Sequence, residues 1–137
     1  MTNYKKNRHA YYKLTYHLVV VTKYRHKCIS EDIMNRLKQI TLELFNKWDC
    51  DLIEMNGESD HVHLLFDAPP HINLANTINS YKTVTSRYVR KEFPKELEKY
   101  YWKPYFWSRS YMILTTGGAT IDVIKKSDYP FSSVSSF

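Results

Sequence analysis

Cys50-Asp51-Leu52-Ile53-Glu54-Met55-Asn56-Gly57-Glu58-Ser59-Asp60-His61-Val62-His63-Leu64-Leu65-Phe66-Asp67 is the stretch around which the rest of the chain arranges itself. Residues 50–56 read as a short strand, with Asn56-Gly57 as a turn signal. Residues 61–67 are β-branched, aromatic and aliphatic, and read as a second strand. The two together predict a hairpin.

Working outward, each flank of the hairpin carries a helix and then a strand. Upstream, Ser30 is a good N-cap, and Glu31 and Asp32 complement the first turn. Ile33, Leu37, Ile40, Leu44 and Trp48 then recur at helical spacing, predicting a helix over about 31–48. Before it, residues 13–22 are rich in Val, Thr, Tyr and Leu and read as a strand. Downstream, Pro69-Pro70 ends the hairpin. A helix over about 73–92 follows, with Leu74, Ile78, Tyr81, Thr85 and Tyr88 along one stripe, and Pro94 stops it. Residues 95–104 read as a polar, aromatic connection, residues 105–115 as a last strand, and 120–126 as a short C-terminal helix after Gly117-Gly118. The order β-α-β-β-α-β predicts an α+β, ferredoxin-like (RRM-like) fold with an antiparallel sheet. That plan hosts many functions and decides none by itself.

Composition narrows the class. The 137 residues are about one domain, 1–137, with 43% hydrophobic content and three glycines, which excludes disordered and collagen-like chains. The longest unbroken aliphatic run, Leu18-Val19-Val20-Val21, is too short to span a membrane. Cys28 and Cys50 form no CxxC and no disulfide framework, and a cytoplasmic, reduced protein is expected. Twenty Lys and Arg against fourteen Asp and Glu give a formal charge of +6, and aromatic residues make up 15% of the chain. Positive charge interleaved with aromatic rings suits nucleic acid, phosphates meeting the cations and unpaired bases the rings.

His61 and His63 lie two apart in a strand, so both project from one face of the sheet. Two imidazoles on a rigid face can share one divalent metal and leave positions open for a phosphate oxygen. The plain alternative is a pair of ordinary strand histidines.

The surroundings favour the metal. Ser59-Asp60-His61-Val62-His63-Leu64-Leu65-Phe66 resembles the nuclease motif of the single-tyrosine HUH transposases, the small-transposase family of the insertion sequence two hundred/six hundred and five type. Tyr16-His17-Leu18-Val19-Val20-Val21-Thr22-Lys23-Tyr24-Arg25 resembles the family's first strand, and Ser80-Tyr81-Lys82-Thr83-Val84-Thr85-Ser86-Arg87 its basic helix. Tyr101-Trp102-Lys103-Pro104, Phe106-Trp107-Ser108-Arg109-Ser110-Tyr111 and Thr116-Gly117-Gly118-Ala119 resemble the connection, the last strand and the turn into the final helix. The likeness runs co-linearly over about residues 10–126.

This resemblance implies cleavage and rejoining of single-stranded DNA at hairpin-marked transposon ends. A tyrosine oxygen attacks the scissile phosphate and becomes linked to its 5′ side. Mg²⁺ or Mn²⁺ held by two histidines, His61 and His63 here, polarises the phosphate. A homodimer is implied, as is DNA contact by basic residues. Lys23 and Arg25 after the first strand, and Lys82, Arg87 and Arg90 on the second long helix, are the candidates, with a solvated charged surface as their plain alternative.

The tail departs from the family pattern, which places a tyrosine after two lysines and a glutamine four residues on. Here Ser127 follows Lys125-Lys126, and Phe131 stands at the glutamine position. Tyr129 is the nearest tyrosine, and a two-residue shift turns a helical side chain by roughly 200°. Residues 127–137 are therefore atypical, and two readings stand: an irregular tail delivers Tyr129 as nucleophile, or the copy binds DNA hairpins without cutting them. An RNA-binding domain on the same fold is a further alternative, predicting exposed aromatics on the central strands. The third metal ligand is open among Glu58, Asp122 and Asp128, with Asp60 expected as a turn or supporting residue. Packing is expected to absorb His17, and also Trp102, Phe106 and Trp107 ahead of base stacking.

Overall fold

The computed structural model describes residues 13–115. The predicted C-terminal helix at 120–126, Ser127, Tyr129, Asp122, Asp128 and the atypical tail lie outside the described residues. Strands β1 (Leu14–Thr22), β2 (Asp51–Glu58), β3 (His61–Ala68) and β4 (Trp107–Thr115) form one sheet in the order β2-β3-β1-β4. All three pairings are antiparallel. Helices α1 (Glu31–Lys47) and α2 (Leu74–Glu92) connect β1 to β2 and β3 to β4, completing the α+β, ferredoxin-like arrangement.

Both long helices start where their caps dictate. The Ser30 side chain accepts from the Ile33 amide, and the Asn73 carboxamide oxygen accepts from the Asn76 amide. Their buried stripes, Ile33, Leu37, Ile40 and Leu44 on α1 and Ile78, Tyr81, Thr85 and Val89 on α2, face the even-numbered residues of β1 and β3. Leu18, Val20, Val62, Leu64 and Phe66 are each at most 1% exposed there. Removing such side chains from water is the main favourable term of the fold. Polar groups inside this core are paired. Thr41 donates to the Leu37 carbonyl and bonds the Tyr81 hydroxyl at 2.9 Å. Thr85 donates to the Tyr81 carbonyl and accepts from the Trp107 indole at 2.9 Å, tying α2 to β4.

Three expectations shift. Asn56-Gly57 does not turn the chain: both residues are inside β2, paired with His63 and Val62, and Ser59-Asp60 makes the turn. Gly57 serves a close approach instead, because a β-carbon there would meet the His61 carbonyl oxygen at 2.3 Å. Tyr88 leaves the buried stripe of α2, being 42% exposed, while Val89 takes its place. The connection after α2 begins with a helical turn, α3 (Pro94–Leu97), because proline fits a first helical turn as well as it ends the preceding helix. Among the described residues no helix is long and apolar enough to cross a membrane.

Candidate active site

Strand alternation divides β1 and β3 between two faces. The face opposite the helices carries His17, Val19 and Val21 from β1 and His61, His63 and Leu65 from β3. Val21 lies across from His61 and Val19 from His63, which places His17 diagonal to His63. On the other side of β3, Glu58 pairs with His61 and Asn56 with His63.

The rings of His61 and His63 stand 4.8 Å apart, and those of His63 and His17 stand 5.4 Å apart, edge to face. Asp60 Oδ1 lies 2.7 Å from His61 Nδ1. With Nδ1–H donating to this carboxylate, the lone pair of Nε2 is left for an electrophile. This carboxylate–imidazole pairing is the arrangement that orients metal-binding histidines. The hydrogen bond from His61 holds the Asp60 carboxyl below its ordinary range, with a smaller contribution from Arg25. Arg25 Nη2 reaches the other oxygen, Oδ2, at 3.3 Å. Asp60 thus sits in the turn, as its place in the sequence suggested, and is hydrogen-bonded to one ligand candidate and one DNA-contact candidate.

His17 is packed, as expected. Burial, with His63 beside it, depresses its pKa to about 4, so it stays neutral at physiological pH. Among the described residues no third His, Cys, Asp or Glu completes a ligand group. Glu58, although opposite His61 in register, does not complete one. The donor set can still hold a divalent ion: two imidazoles on a rigid strand, one braced by a carboxylate, with other positions left to the oxygens of water or phosphate. The cysteines take no part. Both are buried free thiols, and burial raises the pKa of each, Cys50 to about 11.

The basic candidates fall into three places. Lys23 and Arg25 occupy the turn after β1, Lys23–Arg25, where Tyr24 and Arg25 both have left-handed backbone (φ 62° and 57°). Such backbone costs roughly 1 kcal/mol or more per side-chain-bearing residue and persists only where neighbours enforce it. Here the Lys23 amide donates to the Phe106 carbonyl at 2.8 Å, the Tyr101 hydroxyl to the Lys23 carbonyl at 2.6 Å, and Thr22 Oγ1 to the His26 carbonyl at 2.7 Å.

Lys82 and Arg90 line a shallow cleft of about 290 Å³ between α2 and the start of β4, joined by Arg109. Lys82 donates to the Arg109 carbonyl at 2.9 Å, and burial lowers its pKa. Arg87 points away from both places, into a groove between α1 and α2 with Lys47 and Lys91. Phe106 and Trp107 are core residues at 1% and 8% exposure, whereas Trp102 is 88% exposed, against the expectation that it packs. The aromatics of the central strands, Tyr16 and Phe66, contact each other on the helix face, which does not suit a base-stacking sheet of the RNA-binding kind.

Comparison with known proteins agrees with this architecture. The family described as "Transposase IS200 like" matches residues 10–127. The ISDra2 transposase TnpA of Deinococcus radiodurans is 33% identical over 122 residues, covering 89% of this chain and 86% of that protein. The transposase for insertion sequence element IS200 of Salmonella typhimurium is 24% identical over 123 residues, covering 90% and 80%. The crystal structure of a candidate transposase from Deinococcus radiodurans R1 superposes with a TM-score of 0.70 at 30% identity, over 84% of this chain and 88% of that one. The chain therefore belongs to the IS200-like transposases, the IS200/IS605 family.

Proposed function

We propose that this chain, acting as one domain and as a homodimer, cleaves and rejoins single-stranded DNA at hairpin-marked transposon ends through a 5′-phosphotyrosine intermediate. The observation that carries the reading is the histidine pair: two imidazoles 4.8 Å apart on one sheet face, one held by Asp60, in a chain of a transposase family. His61 and His63 would hold Mg²⁺ or Mn²⁺. When bound, the ion supplies a Lewis acid that withdraws charge from a phosphate oxygen.

The remaining work falls to the chain. Asp60 fixes the tautomer and direction of His61. Lys23 and Arg25 lie on the side of the site reached through Asp60, Lys82 and Arg90 add positive charge for the DNA backbone at the α2–β4 cleft, and Arg87 adds it separately in the groove between α1 and α2. The nucleophile assigned is the Tyr129 phenol oxygen, which forms a P–O bond to the scissile phosphate as the P–O3′ bond breaks, the proton lost by the phenol being matched by the one that completes the released 3′-hydroxyl. That ester conserves the bond energy, so rejoining needs no nucleotide cofactor.

Ser127, standing where the family pattern has tyrosine, favours one second reading, a hairpin-binding copy that does not cut. Covalent trapping separates the two. The purified chain is mixed with labelled single-stranded DNA carrying a transposon-end hairpin, with Mn²⁺ or with chelator, and resolved on a denaturing gel. The cleaving reading predicts a metal-dependent adduct that is lost in Tyr129→Phe and in His61→Ala. Hairpin binding and Mn²⁺ uptake with no adduct would establish the non-cutting reading.

A further inference from the structure

Two segments far apart in sequence meet beside the histidine face: Lys23-Tyr24-Arg25-His26-Lys27 and Lys99-Tyr100-Tyr101-Trp102-Lys103-Pro104-Tyr105. Neither contains an acid, and together they hold five cations and five Tyr or Trp rings. They are packed ring to ring. Tyr24 meets Tyr105 edge-on at 6.0 Å, and His26 lies 5.9 Å from Tyr100 and 5.3 Å from Tyr101. Ordinarily such rings would be buried, yet Tyr24 is 65% exposed and Trp102 88%. Tyr24 also has left-handed backbone, as does Arg25 after it, a conformation that the surrounding hydrogen bonds enforce.

Lys23 lies over the Tyr24 ring at 5.3 Å, and Lys103 over the Trp102 ring at 4.8 Å. A cation beside an exposed ring is the local chemistry of a nucleotide, the ring taking the base and the cation the phosphate. A duplex offers no free base faces, so the surface suits an unpaired strand. The nearby carboxylate, Asp60, is already engaged by His61 and Arg25, which offsets part of its charge and connects this surface directly to the histidine pair.

We infer that the Tyr24 turn, together with Trp102, is a stacking surface for unpaired nucleotides of the DNA strand that enters the histidine site. The inference rests on the single-stranded-DNA reading above, and names a recognition element that the basic residues alone do not supply.

The test is binding of the full chain, in chelator to prevent turnover, to two fluorescent DNA probes: a hairpin alone, and the same hairpin with a ten-nucleotide random unpaired flank containing 2-aminopurine. The wild-type chain is expected to bind the flanked probe more tightly and to quench the 2-aminopurine. Tyr24→Ala should weaken binding of the flanked probe roughly tenfold and abolish quenching, with the hairpin alone unaffected. Tyr24→Trp should restore both, and Tyr24→Leu, which keeps bulk without a π face, should not. Because the ring is largely exposed, equal melting temperatures should accompany these changes. Unchanged flanked-probe affinity and quenching in Tyr24→Ala would overturn the inference while leaving the transposase reading intact. A wild-type chain that binds neither probe would overturn both.

Discussion

The two faces of the central strands are made from the same few residues and do opposite work. On β3, the even positions Val62, Leu64, Phe66 and Ala68 are at most 1% exposed and touch only the core. The odd positions put His61, His63 and Asp67 on the other side. A single-residue step along the strand therefore crosses from the part that keeps the protein folded to the part that is available for chemistry. The lesson is that a rigid strand can present two imidazoles with fixed spacing because its other face is locked by packing.

Substitutions can break or sharpen that contrast. The largest effect belongs to His63→Ala, which should reduce metal-dependent cleavage to the level seen in chelator while changing unfolding free energy by less than about 1 kcal/mol. Cleavage assays and urea denaturation of the same preparation would check both halves. Its neighbour Leu64→Ala should do the reverse, costing about 3 kcal/mol of stability through the cavity it leaves, with Mn²⁺ affinity retained in the folded fraction. A Leu64→Ala protein as stable as wild type would mean that this face is not the core.

Asp60→Asn tests the brace between the faces. It keeps the shape of the carboxylate but removes its charge, and should lower Mn²⁺ affinity roughly ten- to a hundredfold by isothermal titration, with little change in melting temperature. The smallest effect is expected far from either face. Arg36 forms a two-pronged pair with Glu92, at 2.7 and 3.0 Å, joining α1 to α2 at the surface. Arg36→Met should cost no more than about 1 kcal/mol, and less in high salt.

The helices and strands were legible because their signals are local. Periodicity, the Ser30 cap and the paired strands each depend on residues close in sequence, and the histidine pair depends only on alternation. What the sequence could not convey was contact between segments. His17 meets His63 only through the β1–β3 register, and the Thr85–Trp107 hydrogen bond only through the docking of α2 on β4. Asp60 should alternate away from His61 in a continuous strand, but it sits in the turn, where the carboxylate can bend back to Nδ1. Asn56-Gly57 misled because the dipeptide that favours a turn also permits the close strand approach that β2 requires. Tyr24 carried no signal for its exposed, left-handed backbone, since tyrosine is a poor residue for that conformation.

The central claim is that the histidine face is a metal site. It is tested most directly by Mn²⁺ titration, followed by electron paramagnetic resonance, of the wild-type chain beside His61→Ala, His63→Ala and Leu64→Ala. The account predicts one Mn²⁺ bound per chain by the wild type and by folded Leu64→Ala, and binding lost in either histidine variant. Equal Mn²⁺ uptake by wild type and both histidine variants would contradict it.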